Sequence, residues 1–410
     1  MSVDLARLVI ERCQTLGTIS EEQGRLTRRA LTPAMREAHN LVTGWMRAAG
    51  MVVHEDSIAN LVATYPADRS AARTLLIGSH LDTVRDAGIF DGVLGVLIGL
   101  AAVEQLHRAG RRLPFAIELV AFSGEEGLRF RSSFMGSRAM AGCFDPAHLT
   151  LCDGSGVSLA DALVAFGGDP TLIPQEARRP QDLLGYLEVY IEQGPILDVQ
   201  GLPVGIVNAI TGISRARLTF TGSAGHAGTV PMRLRHDALC GAAEFVVAVE
   251  SHAYDIPGLL ATVGELAVAP GVGNVIPGQA CLCLDLRHHD DQARLTGIAD
   301  LHWRAAGIAA TRSLSLRWDE LLTQPAVLMS PSMRERLSNA VAAAGVKPIE
   351  LPSGAGHDAA IMAAITDAAM LFVRCKGGIS HNPGESVTLE DVALAIDVLG
   401  RFLQDLALSS

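Results

Sequence analysis

Two hydrophobic rhythms alternate along the chain. Short apolar runs closed by glycine, such as Leu75-Leu76-Ile77 before Gly78, read as buried strands. Longer stretches with apolar residues three or four apart read as helices. Up to about residue 208 the pattern predicts a helix over 34–50, a strand over 74–78, a helix over 92–108, and strands over 117–122 and 187–191. After about residue 328 the same texture returns, with helices over 331–344 and 358–366, a strand over 370–373 and a last helix over 389–407. Strands alternating with helices predict an α/β domain, a mixed sheet sandwiched by helices.

The middle has another order. A strand over 213–220, a helix over 237–250, strands over 259–268 and 280–287, a helix over 291–306 and a strand over 310–317 spell βαββαβ, the split, ferredoxin-like unit. The strand over 280–287 is the clearest: Ala280, Leu282, Leu284 and Leu286 share one face, while Asp285 and Arg287 share the other. A domain over 209–327 is therefore expected as an insertion into one made of 1–208 and 328–410.

Composition narrows the function. A length of 410 residues suits two or three domains. With 49% apolar and 19% charged residues the chain can bury a large core and is not disordered. A net charge of −11 without any basic run argues against a nucleic-acid partner. The longest apolar stretch, 93–103, contains two glycines and is far short of the roughly 20 residues a bilayer needs, so no membrane partner is expected. The first residues carry acids inside a helical pattern, with no signal-peptide core. Seven scattered cysteines without a CxxC pair suit a reducing cytoplasm.

Candidate chemistry gathers where strands end. "GSHLDTVRDAGIFDG" follows one strand and holds His80, Asp82 and Asp91; "FSGEEGLRF" follows another and holds Glu125 and Glu126; "LFVRCKGGISHNPGES" follows a third and holds His381. Ligands of open α/β sheets sit outside the carboxyl ends of the strands, so these residues can converge. Imidazole and carboxylate are donors for zinc and its borderline neighbours. Asp82, two residues past His80, is spaced to hydrogen-bond that imidazole and fix its tautomer. Adjacent glutamates suit a division of labour, one on a metal and one taking a proton from bound water. Taken singly, a strand-end histidine is commonly a capping residue and a Glu-Glu pair a solvated turn. Three such ends together favour a metal hydrolase.

"GSHLDTV…FDGVLGVLIGL", "EEGLRF…GSRAMAG", "YIEQGP", "GSAGHAGTVPM", "NVIPG…LDLRH", "SGAGHDA" and "GGISHNPGES" together resemble the amidase, hydantoinase/carbamoylase family. That family includes N-carbamoyl-L-amino acid hydrolases, allantoate amidohydrolases and β-ureidopropionases, within the clan of di-zinc aminoacylases and carboxypeptidases. The resemblance implies a zinc-exopeptidase-like catalytic domain and an inserted lid and dimerisation domain. It also implies one or two divalent ions per chain, zinc or manganese, and a homodimer acting on a small ureido or N-carbamoyl acid with release of ammonia and carbon dioxide. His80 and His381 would hold a first ion, Asp91 would bridge to a second, and Glu126 would bind the second with Glu125 as general base. His226 would steady the oxyanion in the partner's site, Asn274 and Arg287 would hold the substrate carboxylate, Gln193 would contact the ureido group and His357 would lie near the substrate. One position departs: Tyr190 stands where the family has a histidine ligand to the second ion. That leaves open an amidase on other N-acyl amino acids, or a weakened homologue that binds a small carboxylic acid.

Overall fold

A computed structural model describes residues 2–408 and divides the chain into two compact units, one running up to Asn208 and resuming at Met329, the other being Ala209–Leu328. Among the described residues the first unit is built on a nine-stranded mixed sheet. Seven of its strands, in order from one edge, are Val52–Glu55, Leu61–Tyr65, Ala116–Phe122, Thr74–His80, Leu183–Ile191, Ala368–Val373 and Val204–Ile210. The four from Ala116–Phe122 to Ala368–Val373 run parallel, and their neighbours on both sides are antiparallel. Strands buried on both faces must be apolar throughout, and Ala368–Val373 reads AAMLFV with every residue buried.

Helices Ser2–Gly17, Val93–Arg108, Pro331–Ala343 and Leu389–Leu408 pack together and on the sheet. Val93–Arg108 is apolar almost all round and buried along most of its length. Pro33–Ala48 begins at Thr32, whose hydroxyl accepts the backbone N–H of Met35, with Pro33 in the first turn. No described helix is long and apolar enough to cross a membrane.

The second unit is a four-stranded antiparallel sheet in the order Ser315–Gln324, Gly212–Thr221, Gln279–His288, Leu260–Ala269, with helices Ala238–Asp255 and Asp291–Thr311 on one face. Both helices start at aspartates, Asp237 and Asp290, whose carboxylates accept first-turn N–H groups. Leu282, Leu284 and Leu286 point into the core beside Phe220, Phe245 and Leu301. Two expectations need correction. The strand expected over 310–317 begins only at Ser315, because the alanine-rich helix continues to Thr311 and turns at Ser313, φ 53°. The helix expected over 358–366 is the short Asp358–Met362, since the chain must turn at once into the strand Ala368–Val373.

Candidate metal centre and active site

The four parallel strands end at the same edge of the sheet, and each delivers chemistry there. Thr74–His80 ends on His80 itself; Ala116–Phe122 is followed by Ser123, Gly124 and then Glu125 and Glu126. Leu183–Ile191 presents Tyr190, with Gln193 just beyond, and Ala368–Val373 leads into the turn carrying His381. Asp91 comes from the start of the helix Val93–Arg108, where the helix dipole favours a carboxylate. Gly92 between them has φ 66°, and a Cβ there would collide with the His80 imidazole, so only glycine permits this approach. Gln193 and His381 also sit in the left-handed region, at φ 56° and 54°, a strain of about 1–3 kcal/mol each that the surrounding packing must hold.

His80, Asp91 and Glu126 each offer a donor atom within 4.8 Å of the others. The two oxygens of Asp91 face different company. Its Oδ2 stands 3.1 Å from His381 Nε2 and takes hydrogen bonds of 3.1 Å from Gln193 Nε2 and from the Ser380 hydroxyl. Its Oδ1 accepts the Tyr190 hydroxyl, and that phenol oxygen is 2.6 Å from His80 Nε2. His381 Nε2 is 3.8 Å from Glu126 Oε1, so the distances group His381 with Glu126, across Asp91 from His80 and Tyr190. Glu125 is enclosed beside them, its carboxylate 3.7 Å from His80 Nε2.

Some expected partners are placed otherwise. The Asp82 carboxylate does not fix the His80 tautomer: His80 Nδ1 lies 2.8 Å from the backbone carbonyl of Asp82, and 3.6 Å from its carboxylate. The carboxylate instead accepts the N–H groups of Glu125 and Glu126, at 3.3 and 3.2 Å, and so holds the glutamate turn against the His80 strand end. His357 is fully enclosed, its Nε2 2.7 Å from the Ser353 hydroxyl and its ring edge-on to Tyr190 at 4.5 Å between centroids. It forms the wall behind Tyr190 and offers no open face to a ligand. Gln193 turns its amide N–H to Asp91, and its buried Oε1 has no hydrogen-bond partner.

In the second unit, His226 pairs with Val275 in a two-stranded ribbon, and Asn274 accepts the N–H of Ala227, so these two neighbour each other. Arg287 is ion-paired to Asp285 at 2.7 Å, and Asp285 also binds Arg215 at 2.7 Å.

Several residues that serve the site escaped the motif reading. Glu385 accepts the N–H groups of Phe90 and Asp91 and the Ser380 hydroxyl, tying the His381 turn to the Asp91 backbone. It lies four residues past His381 in the quoted "SHNPGES", a proximity that could have flagged it. Arg28, wholly buried, donates to the carbonyls of Leu16, Ile19 and Leu81 and so anchors the residue after His80. Nothing in its local sequence marks it.

Charge explains what the centre can hold. Burial pushes Glu125 well above the usual carboxylate range, and Glu126, Asp358, Asp82 and Asp91 push further. Burial also lifts Glu126 to about 7 against the pull of His80. For His80 burial works against the charge, yet Asp82, Glu126 and Asp91 raise it to about 9. Burial opposes ionisation of Asp91 too, but the His381 hydrogen bond, His80 and Tyr190 bring it down to about 2. These carboxyl groups outnumber the imidazoles that could balance them, and Glu126 Oε1 is buried without a hydrogen-bond partner. A divalent cation would offset that deficit, and nitrogen and oxygen donors are the kind that zinc and its borderline neighbours take.

The chain also matches known proteins along nearly its whole length. The model of peptidase family M20/M25/M40 matches residues 76–405. An N-carbamoyl-L-amino acid amidohydrolase of Geobacillus stearothermophilus is 40% identical over 398 residues, 97% of each chain. An allantoate deiminase of Arabidopsis thaliana is 39% identical over 426 residues, covering 96% of this chain and 81% of that protein. A solved amidase of the hydantoinase/carbamoylase family from Burkholderia multivorans superimposes with a TM-score of 0.93 at 32% identity, over 98% of both chains.

Proposed function

The chain belongs to peptidase family M20/M25/M40, and from that premise we propose that it is a metal-dependent amidohydrolase of N-carbamoyl-L-amino acids or allantoate. The observation that carries this reading is Glu125, a carboxyl enclosed beside the donor set of Asp91, Glu126 and His381, with His80 Nε2 3.7 Å away. A divalent ion bound there, zinc or manganese, would polarise the carbonyl and bring the pKa of a water toward neutral. Glu125 takes the proton of the attacking water and returns it to the departing nitrogen. Its acid-rich, buried setting raises its affinity for that proton, which suits it to hold the proton between the two transfers. Breaking the C–N bond frees the amine and leaves carbamate, which falls apart into carbon dioxide and ammonia.

Gln193, with a buried amide oxygen left over, would meet the ureido nitrogen. In the inserted unit Asn274 and Arg287 would hold the substrate carboxylate, a planar guanidinium matching it with two bonds. His226 would stabilise the oxyanion in the site of a partner subunit, which makes the working form a homodimer. The test is ammonia release by zinc- and manganese-loaded protein from allantoate and a set of N-carbamoyl-L-amino acids, with chelated protein as control. Turnover that depends on the metal is expected. A folded, metal-saturated chain that hydrolyses none of them above background would overturn the reading.

A further inference from the structure

The two sides of Asp91 differ in a way that fixes how many ions the centre takes. On the Oδ2 side, Asp91 and His381 donors stand 3.1 Å apart, and His381 and Glu126 donors 3.8 Å apart. Donors at about 2.0–2.2 Å from one tetrahedral ion lie roughly 3.3 Å from each other, and the observed spacings straddle that value. Glu126 Oε1 is buried and has no hydrogen-bond partner, so the third donor is uncommitted.

On the Oδ1 side the donors crowd closer than two ligands of one ion can stand. His80 Nε2 and Asp91 Oδ1 are 3.8 Å apart, and the Tyr190 oxygen fills the gap between them, 2.6 Å from the imidazole and bonded to the carboxylate. Two donors at 2.6 Å are too close to share a tetrahedral ion, and the hydroxyl occupies the place an ion would need. His80, Asp91 and Glu126 do lie within 4.8 Å of one another, but the phenol stands between the first two. Nor is Tyr190 free to swing aside. It is 3% exposed, lies on a central strand paired to Ala368–Val373, and has His357 edge-on behind its ring.

We propose that this chain holds a single catalytic ion, on Asp91 Oδ2, Glu126 and His381, and that Tyr190 permanently plugs the His80 half with a hydroxyl. The inference rests on the metal-hydrolase reading above and deepens it. The plug leaves His80 as a partner of the phenol, and the phenol pins one Asp91 oxygen so that the other faces the ion.

Protein stripped with chelator and titrated with Mn²⁺ or Zn²⁺, with bound ion counted by emission spectroscopy after dialysis, tests this directly. One ion per wild-type chain is expected. His381→Ala should lose it, His80→Ala should keep it, and Tyr190→His should rise to about two. Circular dichroism verifies that each variant is folded, and the wild-type count decides the matter even where a variant is not. Two ions in the wild type, an ultraviolet band of ionised phenol on loading, or loss of the ion in His80→Ala but not in His381→Ala overturns the single-ion site while leaving a metal hydrolase. No ion at all overturns both.

Discussion

On the inserted sheet, Asp285 binds Arg287 and Arg215, each at 2.7 Å, and all three side chains keep part of their surface in solvent. At the edge of the main sheet, Glu125 is buried and Glu126 partly so, both crowded by Asp82 and Asp91, and Glu126 Oε1 has no hydrogen-bond partner. The first network is complete within the protein. The second leaves more carboxyl groups than imidazoles, an imbalance a cation would offset, because burial makes an unbalanced carboxylate far costlier than the same group in water. Under the proposed function the doubling at Asp285 matters. If Arg287 turned to a substrate carboxylate, Asp285 would keep Arg215, so the exchange would strand no charge.

The largest expected effect lies on the enclosed side. Glu125→Gln should lower kcat by about 10²–10⁴-fold, the usual worth of a general acid–base, while the bound metal stays constant. Kinetics alongside metal counting tests this, and a loss under tenfold would return Glu125 to a structural role. Next comes the link between the two regions. Glu125→Ala and His226→Ala subunits, each inactive, should regain activity when mixed, since one hybrid site keeps both groups. Silence after verified subunit exchange would mean that each chain works alone.

Arg287→Lys should raise KM by about 10–100-fold for substrates with a free carboxylate, the worth of a charged two-bond contact, and hardly at all for amidated analogues. Equal losses for both would make Arg287 a brace of the sheet through Asp285. The smallest effects contrast two glycines. Gly92→Ala should cost about 1–3 kcal/mol of stability, because φ is 66° and the new methyl meets the His80 ring. Gly264→Ala, on an inserted strand with nothing within 4 Å of the new methyl, should stay within about 0.5 kcal/mol. Melting midpoints measure both, and equal costs would dissolve the contrast.

Much of this was written in local pattern. The alternation over 280–287 placed Leu282, Leu284 and Leu286 inside, because side chains on a strand alternate faces whatever surrounds it. Polar residues just past apolar runs marked His80, Glu125, Glu126 and His381, since a parallel strand can carry such groups only where it leaves the core. The edge strand Val52–Glu55 and its neighbour Leu61–Tyr65 went unread, being only four and five residues long.

The tertiary structure decided the rest. Leu183–Ile191 lies between Thr74–His80 and Ala368–Val373, and only that strand order sets the Tyr190 hydroxyl between His80 and Asp91, residues about a hundred positions away. The Asp82 carboxylate turned from its near neighbour His80 to the N–H groups of Glu125 and Glu126, because the adjoining strand end brings two donors to it. Glu385 reached back to the Asp91 backbone for the same kind of reason. Periodicity reports which face a residue takes along its own strand or helix. Which distant group it meets depends on how strands are ordered in the sheet, and that is settled by packing the whole core.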